Sequence, residues 1–452
     1  MDNILLKSCW RIIVVEIKEY DQKTFENIKE RKNIIRTDKL EKIAEYILYL
    51  FLISLCCFKG MINTFGGLFV LTSGILIYKI PNKKEFFKKY KMELIFTGIY
   101  FLGIIFEWFS IDNAKAYKFL YKNFYFLMAP GILYFFEKEE IRKKAVYLIS
   151  FSLFIGIIES FRQFAVIHKY IYNSTIRVES FFDCMRWGSA LQMALLLILP
   201  FLKKNIYFWG VFLLGIPSLI LNNSRGPWVG FTVCFCIYMA YLLFYKKKVK
   251  TILCIALLGG VIAVGGAVRH RDLASKIITR VATIKNTENN YSNLGRLYMW
   301  KENILFMKDS LRNNKRAFFF GVGCDNRTTI EDYITKKDSW KNAPARLKGS
   351  TSFTDAHNMY IHTFVRKGFI YGFLFWGYML VYILKKLKDG LYLEDEYILG
   401  SFLSTISFFI CGIFYGYIFT FDTFIFYIIF LLGVNYKYEI FSYKNKIEGG
   451  RK

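Results

Sequence analysis

The sequence predicts an all-α polytopic membrane protein: about twelve transmembrane helices and one large, partly helical loop on the outer side. Three observations carry this reading. Apolar residues make up 54% of the chain, and they fall into runs near the ~20 residues that cross ~30 Å of hydrocarbon as a helix. The formal charge is nevertheless +27, and the lysines and arginines collect in short connectors that all fall on one side. That is the pattern of cytoplasmic loops facing anionic lipid, so the charge requires no nucleic-acid partner. Finally, one long polar interval, residues 269–355, interrupts the spans.

Residues 1–42 are polar-amphipathic and predict a cytoplasmic segment on the inner membrane face, with no cleavable signal peptide expected. Spans one to nine occupy residues 43–268. They are placed at residues 44–58, 62–80, 93–110, 117–136 and 145–167, then before Pro200, at 206–221, after Arg225 and at 252–268. The connectors PNKKEFFKKYK, EKEEIRKK, LKKN and KKKVK are basic and inside. After the loop, spans ten to twelve lie within residues 356–435, with KKLKDG inside. Residues 436–452 form a cytoplasmic tail, so both termini are expected in the cytoplasm. No internal repeat is visible.

The loop carries 17 Lys/Arg against 9 Asp/Glu. Long loops escape the positive-inside rule, so an outward basic loop suggests an anionic partner. Within it, Leu297, Trp300, Ile304 and Met307 recur at helical spacing and predict an amphipathic helix lying over the membrane part through that face. The nine cysteines show no metal-ligand spacing. Cys56, Cys57, Cys234, Cys236, Cys254 and Cys411 read as small core residues. Cys184 and Cys324 face outward, and their pairing stays open. Neither a metal nor a cofactor motif is present: Gly321 and Gly323 lack the lysine and βαβ context of a phosphate loop.

Three outward places share one design. In NNSRGPW, Arg225 precedes Gly226 and Pro227, a proline suited to the first helical position. The helix start there offers free N–H groups beside a guanidinium, an arrangement that favours phosphate. An interfacial arginine reaching lipid headgroups is the alternative. Arg296 stands at a second helix start, where a solvated face residue is the plainer reading. Third, TDAHNMYIHTF opens span ten: Thr354 or Asp355 caps it, which places His357 in the first turn. A helix N-terminus disfavours imidazolium, leaving a neutral ring able to act as a general base. A capping or packing histidine is the alternative there. His362, five residues on, reads as a packing or interfacial residue. Glu107, Glu159 and Arg162 lie near outer span ends, where they line the site or reach the interface.

With these stretches assembled, the chain resembles the O-antigen ligase and O-antigen polymerase family of bacterial envelope proteins. The likeness rests on NNSRGPWVGF, on GRLYMW in the loop and on HNMYIHTFVRKGFIYG. The last fits the pattern His-Asn, nine residues, Gly, two residues, then a small residue or Tyr (Gly368 and Tyr371). RVESFFDCMRWGSAL departs from it, lacking the Asn-Pro of many relatives. The resemblance implies a GT-C-like, inverting, metal-independent glycosyltransferase of the inner membrane with a periplasmic active site. It implies an undecaprenyl-pyrophosphate-linked glycan as donor and a lipid A-core or glycan hydroxyl as acceptor. Arg225 and Arg296 would hold the pyrophosphate, His357 would deprotonate or position the hydroxyl, and Asn358 would orient His357 or cap the span. Arg177 and Asn223 are further candidates for glycan or phosphate contact.

The alternatives are a polymerase joining repeat units, a ligase that glycosylates protein, and a twelve-helix transporter. A transporter predicts related halves and midplane charges. Neither is visible, since the notable charges sit at outer span ends.

Overall fold

A computed structural model describes residues 38–80, 82–116, 124–172, 176–249, 271–285, 291–323, 326–353, 355–393, 395–416 and 424–436. Among them every regular element is helical. The membrane part consists of α1 (residues 38–54), α2 (Lys59–Lys79), α3 (Lys91–Phe109), α4 (Ala129–Phe136), α5 (Glu139–Val166), α6 (Cys184–Ile198), α7 (Ile206–Asn222) and α8 (Arg225–Ala240). The loop contributes α9 (Arg271–Lys285), α10 (Tyr291–Asn313), α11 (Lys315–Phe320) and α12 (Thr328–Thr335). The chain then returns through α13 (Met359–Leu393), α14 (Glu396–Gly412) and α15 (Phe424–Leu432).

Six described helical stretches are long and apolar enough to cross a membrane: Gly60–Lys79, Lys91–Phe109, Glu139–Val166, Cys184–Phe201, Arg225–Tyr245 and Met359–Gly390. Phe126–Phe136, Ile206–Asn222 and Glu396–Gly412 are shorter apolar helices. The protein is thus a polytopic helical membrane protein, but a count of twelve is not reached. Expected span nine, most of the N-terminal segment, the C-terminal tail and the Cys184–Cys324 pairing lie wholly or partly outside the described residues. Cys56, Cys57, Cys234 and Cys411 are buried, whereas Cys236 is exposed on α8 and so is not a core residue.

α6 is the axis of the bundle, buried from Trp187 to Ile198. It packs on α14 at backbone contact distance. Gly400 leaves no room for a Cβ beside the Leu197 carbonyl, 2.5 Å away, and Ser404 Oγ donates to Met193 O at 2.7 Å. α8 meets α14 in the same way, with Gly230 against Ser407 O. Small residues here let helices approach where hydrocarbon supplies no hydrophobic drive between them.

In its first third α13 is broken. Gly368 has φ 82 and ψ 169 inside the helix, a conformation only glycine adopts cheaply. The break makes room for Gly321–Gly323. Val322 N–H donates to Val365 O and Gly323 N–H to Arg366 O, both at 3.0 Å. Across the same segment, Ile111 N–H donates to Gly321 O and Asp112 N–H to Val322 O. A Cβ on Gly321 would lie 2.3 Å from Arg366 O, and one on Gly368 would lie 2.2 Å from Phe319 O. Below the break, buried Lys367 stands 3.6 Å from Glu107, while Arg366 donates to Asn326 O and Phe353 O. The loop is thereby fastened to the bundle, around a small core of its own built from Phe306, Ala317, Val322, Ile330, Ile334 and Val365.

α10 is turned from the sequence expectation. Its buried face is Gly295, Met299, Glu302, Asn303, Phe306 and Ser310, while Leu297 and Ile304 are exposed. The inward side is fixed by close approach and hydrogen bonds, with Gly295 against Ser350 and Glu302 bonded to Lys337 at 2.6 Å. Of the expected face, Trp300 and Met307 are half-buried, with Met307 packed on the loop core, so hydrophobic spacing marked a face beside the buried one.

Candidate active site

The site forms where the α7–α8 corner, the loop and the start of α13 meet. α7 ends on Asn223, whose φ of 57 suits asparagine better than most side chains. The two corner asparagines pin the preceding outer segment. Asn222 Nδ2 donates to Val178 O and Cys184 O, and Asn223 Nδ2 donates to Ile176 O at 2.8 Å. Arg177 is carried on that pinned segment. Asn223 Oδ1 accepts from Tyr172, so its amide is engaged by the protein at both ends.

Arg225 is the first residue of α8, which makes Pro227 the third helical residue rather than the first. Its missing N–H costs nothing there, because the first turn's N–H groups have no intrahelical acceptor. Arg280 on α9 reaches back to the corner and donates to Asn223 O at 3.1 Å. Arg296 on α10 lies over the Tyr415 ring, 5.8 Å from its centroid. That ring is seated against Gly226, where a Cβ would come within 2.5 Å of it.

Arg177, Arg225, Arg280 and Arg296 are thus within electrostatic reach of one another, around Tyr415. Arg280 and Arg296 are held below the usual arginine range, first by burial and then by neighbouring guanidiniums. Like charges held together at a half-buried site are relieved by an anion of high charge. Arg280 carries no sequence motif and was missed among the loop's cations. Its one available signal was its place on an amphipathic stretch following the ninth span.

His357 does not sit in the first turn of α13. Asn358 takes the capping position: its Oδ1 accepts the Tyr360 and Ile361 N–H groups, each at 3.0 Å, and its Nδ2 donates to Ile413 O. His357 is the residue before the cap and has φ 48. Asp355 holds it there, with Oδ1 accepting the His357 N–H at 2.9 Å and Oδ2 lying 3.5 Å from Nδ1. The carboxylate needs Gly416, since a Cβ at that position would fall 1.6 Å from Asp355 Oδ1. The His357 ring is held below the usual histidine range by burial, and Arg296 adds to this while Asp355 opposes it. Sequence reading saw Asp355 only as a cap and missed its role beside the imidazole. Thr354 lies outside the described residues. Glu107 is engaged with Lys367, and Glu159 with Arg162 at 2.7 Å, so each has a protein partner.

An apolar cleft of ≈ 470 Å³ lies between α7, α8 and α9. Leu219, Trp228 and Phe231 line it, together with Ile277 and Val281, which flank Arg280 in sequence. Such a cleft suits a hydrocarbon chain, and the clustered guanidiniums suit a polyanion.

Residues 210–377 match the family model described as O-antigen ligase, so over that stretch the chain is similar to the O-antigen ligase and polymerase family. The matched stretch runs from α7 to the middle of α13 and contains the corner, the loop and the Asp355–His357 pair. The family is one of glycosyltransferase-like membrane enzymes acting on lipid-linked glycans. The chain is also 24% identical over 324 residues to an uncharacterised protein of Haemophilus influenzae, covering 68% of this chain and 75% of that protein.

Proposed function

We propose that the protein is an O-antigen ligase-like glycosyltransferase of the bacterial inner membrane. It moves a glycan from undecaprenyl pyrophosphate to a hydroxyl of a lipid A-core acceptor at the periplasmic face. The observation that carries this reading is the gathering of Arg177, Arg225, Arg280 and Arg296 next to the Asp355–His357 pair.

His357 takes the proton of the acceptor hydroxyl as its oxygen bonds to the anomeric carbon. On the opposite side the bond from that carbon to the pyrophosphate oxygen breaks, so the configuration inverts. Undecaprenyl pyrophosphate leaves with its charge held by the guanidiniums, which are already in place and need no reorganisation. The apolar cleft holds part of the polyprenyl chain. Asp355 steadies the ring and the positive charge it acquires. Asn223 and Asn358 shape the site through the backbone.

Purified protein in liposomes, given lipid-linked glycan and lipid A-core, tests the proposal. Wild type should form glycan-bearing core and release undecaprenyl pyrophosphate, and His357→Ala and Arg296→Ala should do neither. Wild-type turnover by His357→Ala would overturn the reading. Elongation of the lipid-linked glycan itself, with core left bare, would identify a polymerase.

A further inference from the structure

We infer that His362 is the positioning residue of the site: through the Ala356 amide, it holds the corner that carries Asp355 and presents His357. This rests on the reading of His357 as the base. His362 sits one turn into α13 and is 3% exposed. Its Nδ1 lies 3.5 Å from Asp355 Oδ1 and accepts the Ala356 N–H at 3.4 Å. Asp355 therefore lies between two imidazoles, with Oδ2 toward His357 and Oδ1 toward His362. Buried Nε2 meets no hydrogen-bond partner among the described residues, so all the polar contacts of this ring fall on residues 355–356.

The corner needs such a holder. His357 has φ 48, and a non-glycine residue stays there only where its surroundings over-determine it. Three contacts do so: Asp355 Oδ1 on the His357 N–H, Asn358 on the helix start, and His362 on the Ala356 N–H. The neutral ring is the working form, because Nδ1 must keep its lone pair to accept from Ala356. Protonated, Nδ1 would instead donate to Asp355 Oδ1 and compete with the His357 amide for that oxygen. The charged and titratable groups facing His362 are Asp355, Arg366, Lys367 and His357, with Lys367 itself beside Glu107.

The test compares two variants of the full-length protein in the same liposome assay. His362→Asn keeps an oxygen able to accept the Ala356 N–H but leaves the volume underfilled. His362→Phe fills the volume and cannot accept. Positioning predicts that His362→Phe loses kcat by about 10- to 100-fold, with KM for the lipid-linked donor little changed. The acid limb of its kcat profile should move to lower pH, because a loosened Asp355 raises the basicity of His357 less. His362→Asn should recover most of kcat and the wild-type limb. The reverse ranking, or equal losses with an unmoved limb, would make His362 a packing residue and overturn the inference. His357→Ala is the control: if it turns over like wild type, the base reading has failed, whatever the His362 variants show.

Discussion

As the proposed base, His357 needs a neutral ring, and the surroundings bias it that way. Burial and Arg296 lower its proton affinity, and Asp355 opposes them. Its acid limb should therefore lie below the ~6.5 of an unperturbed histidine, with kcat flat through neutral pH. Asp355→Asn removes the group that raises the ring's pKa, so the limb should move further down. Lost orientation should cut kcat by about 100-fold or more. A limb that moves up in Asp355→Asn would contradict the assignment. Arg280→Ala should lower kcat/KM for the donor by roughly 10²–10³, and Arg280→Lys should recover only part, since an ammonium lacks the planar fork. Steady-state turnover against donor concentration checks both. Arg225 and His357 sit beside a recognisable helix start, whereas α10 begins at Tyr291, which puts Arg296 in its second turn rather than at the start the sequence suggested. Arg280 was not legible, because nothing local distinguishes it from the other cations of the loop. The first-turn placement of His357 failed because Asn358 is itself a strong N-cap and claims the free N–H groups of Tyr360 and Ile361.

At the level of elements, three glycines join the loop and the spans into one site. Gly321 and Gly368 face each other with positive φ and backbone contacts on both sides. Alanine at either should cost roughly 1–3 kcal/mol for its φ alone, before the clash with a carbonyl is counted. Thermal unfolding in detergent should show a large drop for each, and a wild-type melting temperature for Gly368→Ala would contradict the crossing. Gly416 is different, because the atoms it spares room for belong to the Asp355 side chain rather than the backbone. Gly416→Ala should fold and melt close to wild type yet lose most of its turnover, since the carboxylate must leave His357. Retained turnover in that variant would show that Asp355 is dispensable. Helix starts and apolar runs could be read from the sequence, but the break in α13 could not, since glycine is common within membrane helices. The inward face of α10 was hidden for a related reason: Gly295, Glu302 and Asn303 pack by close approach and hydrogen bonding, which hydrophobic periodicity does not register.

For the whole molecule, composition and charge were enough to indicate a polytopic helical membrane protein. They were not enough to fix the number of spans, because the described α7 and α14 are shorter than the longest apolar helices. Whether the outward places meet was beyond sequence reading, since that depends on the α9 and α10 docking that brings Arg280 and Arg296 to the α7–α8 corner. The most direct test of the resulting account is the envelope glycan profile of a deletion strain complemented with wild type or His357→Ala. The account predicts bare lipid A-core and accumulated lipid-linked glycan in the deletion, rescue by wild type, and no rescue by His357→Ala at equal membrane abundance. Core that still carries full-length glycan in the deletion, or full rescue by His357→Ala, would contradict it.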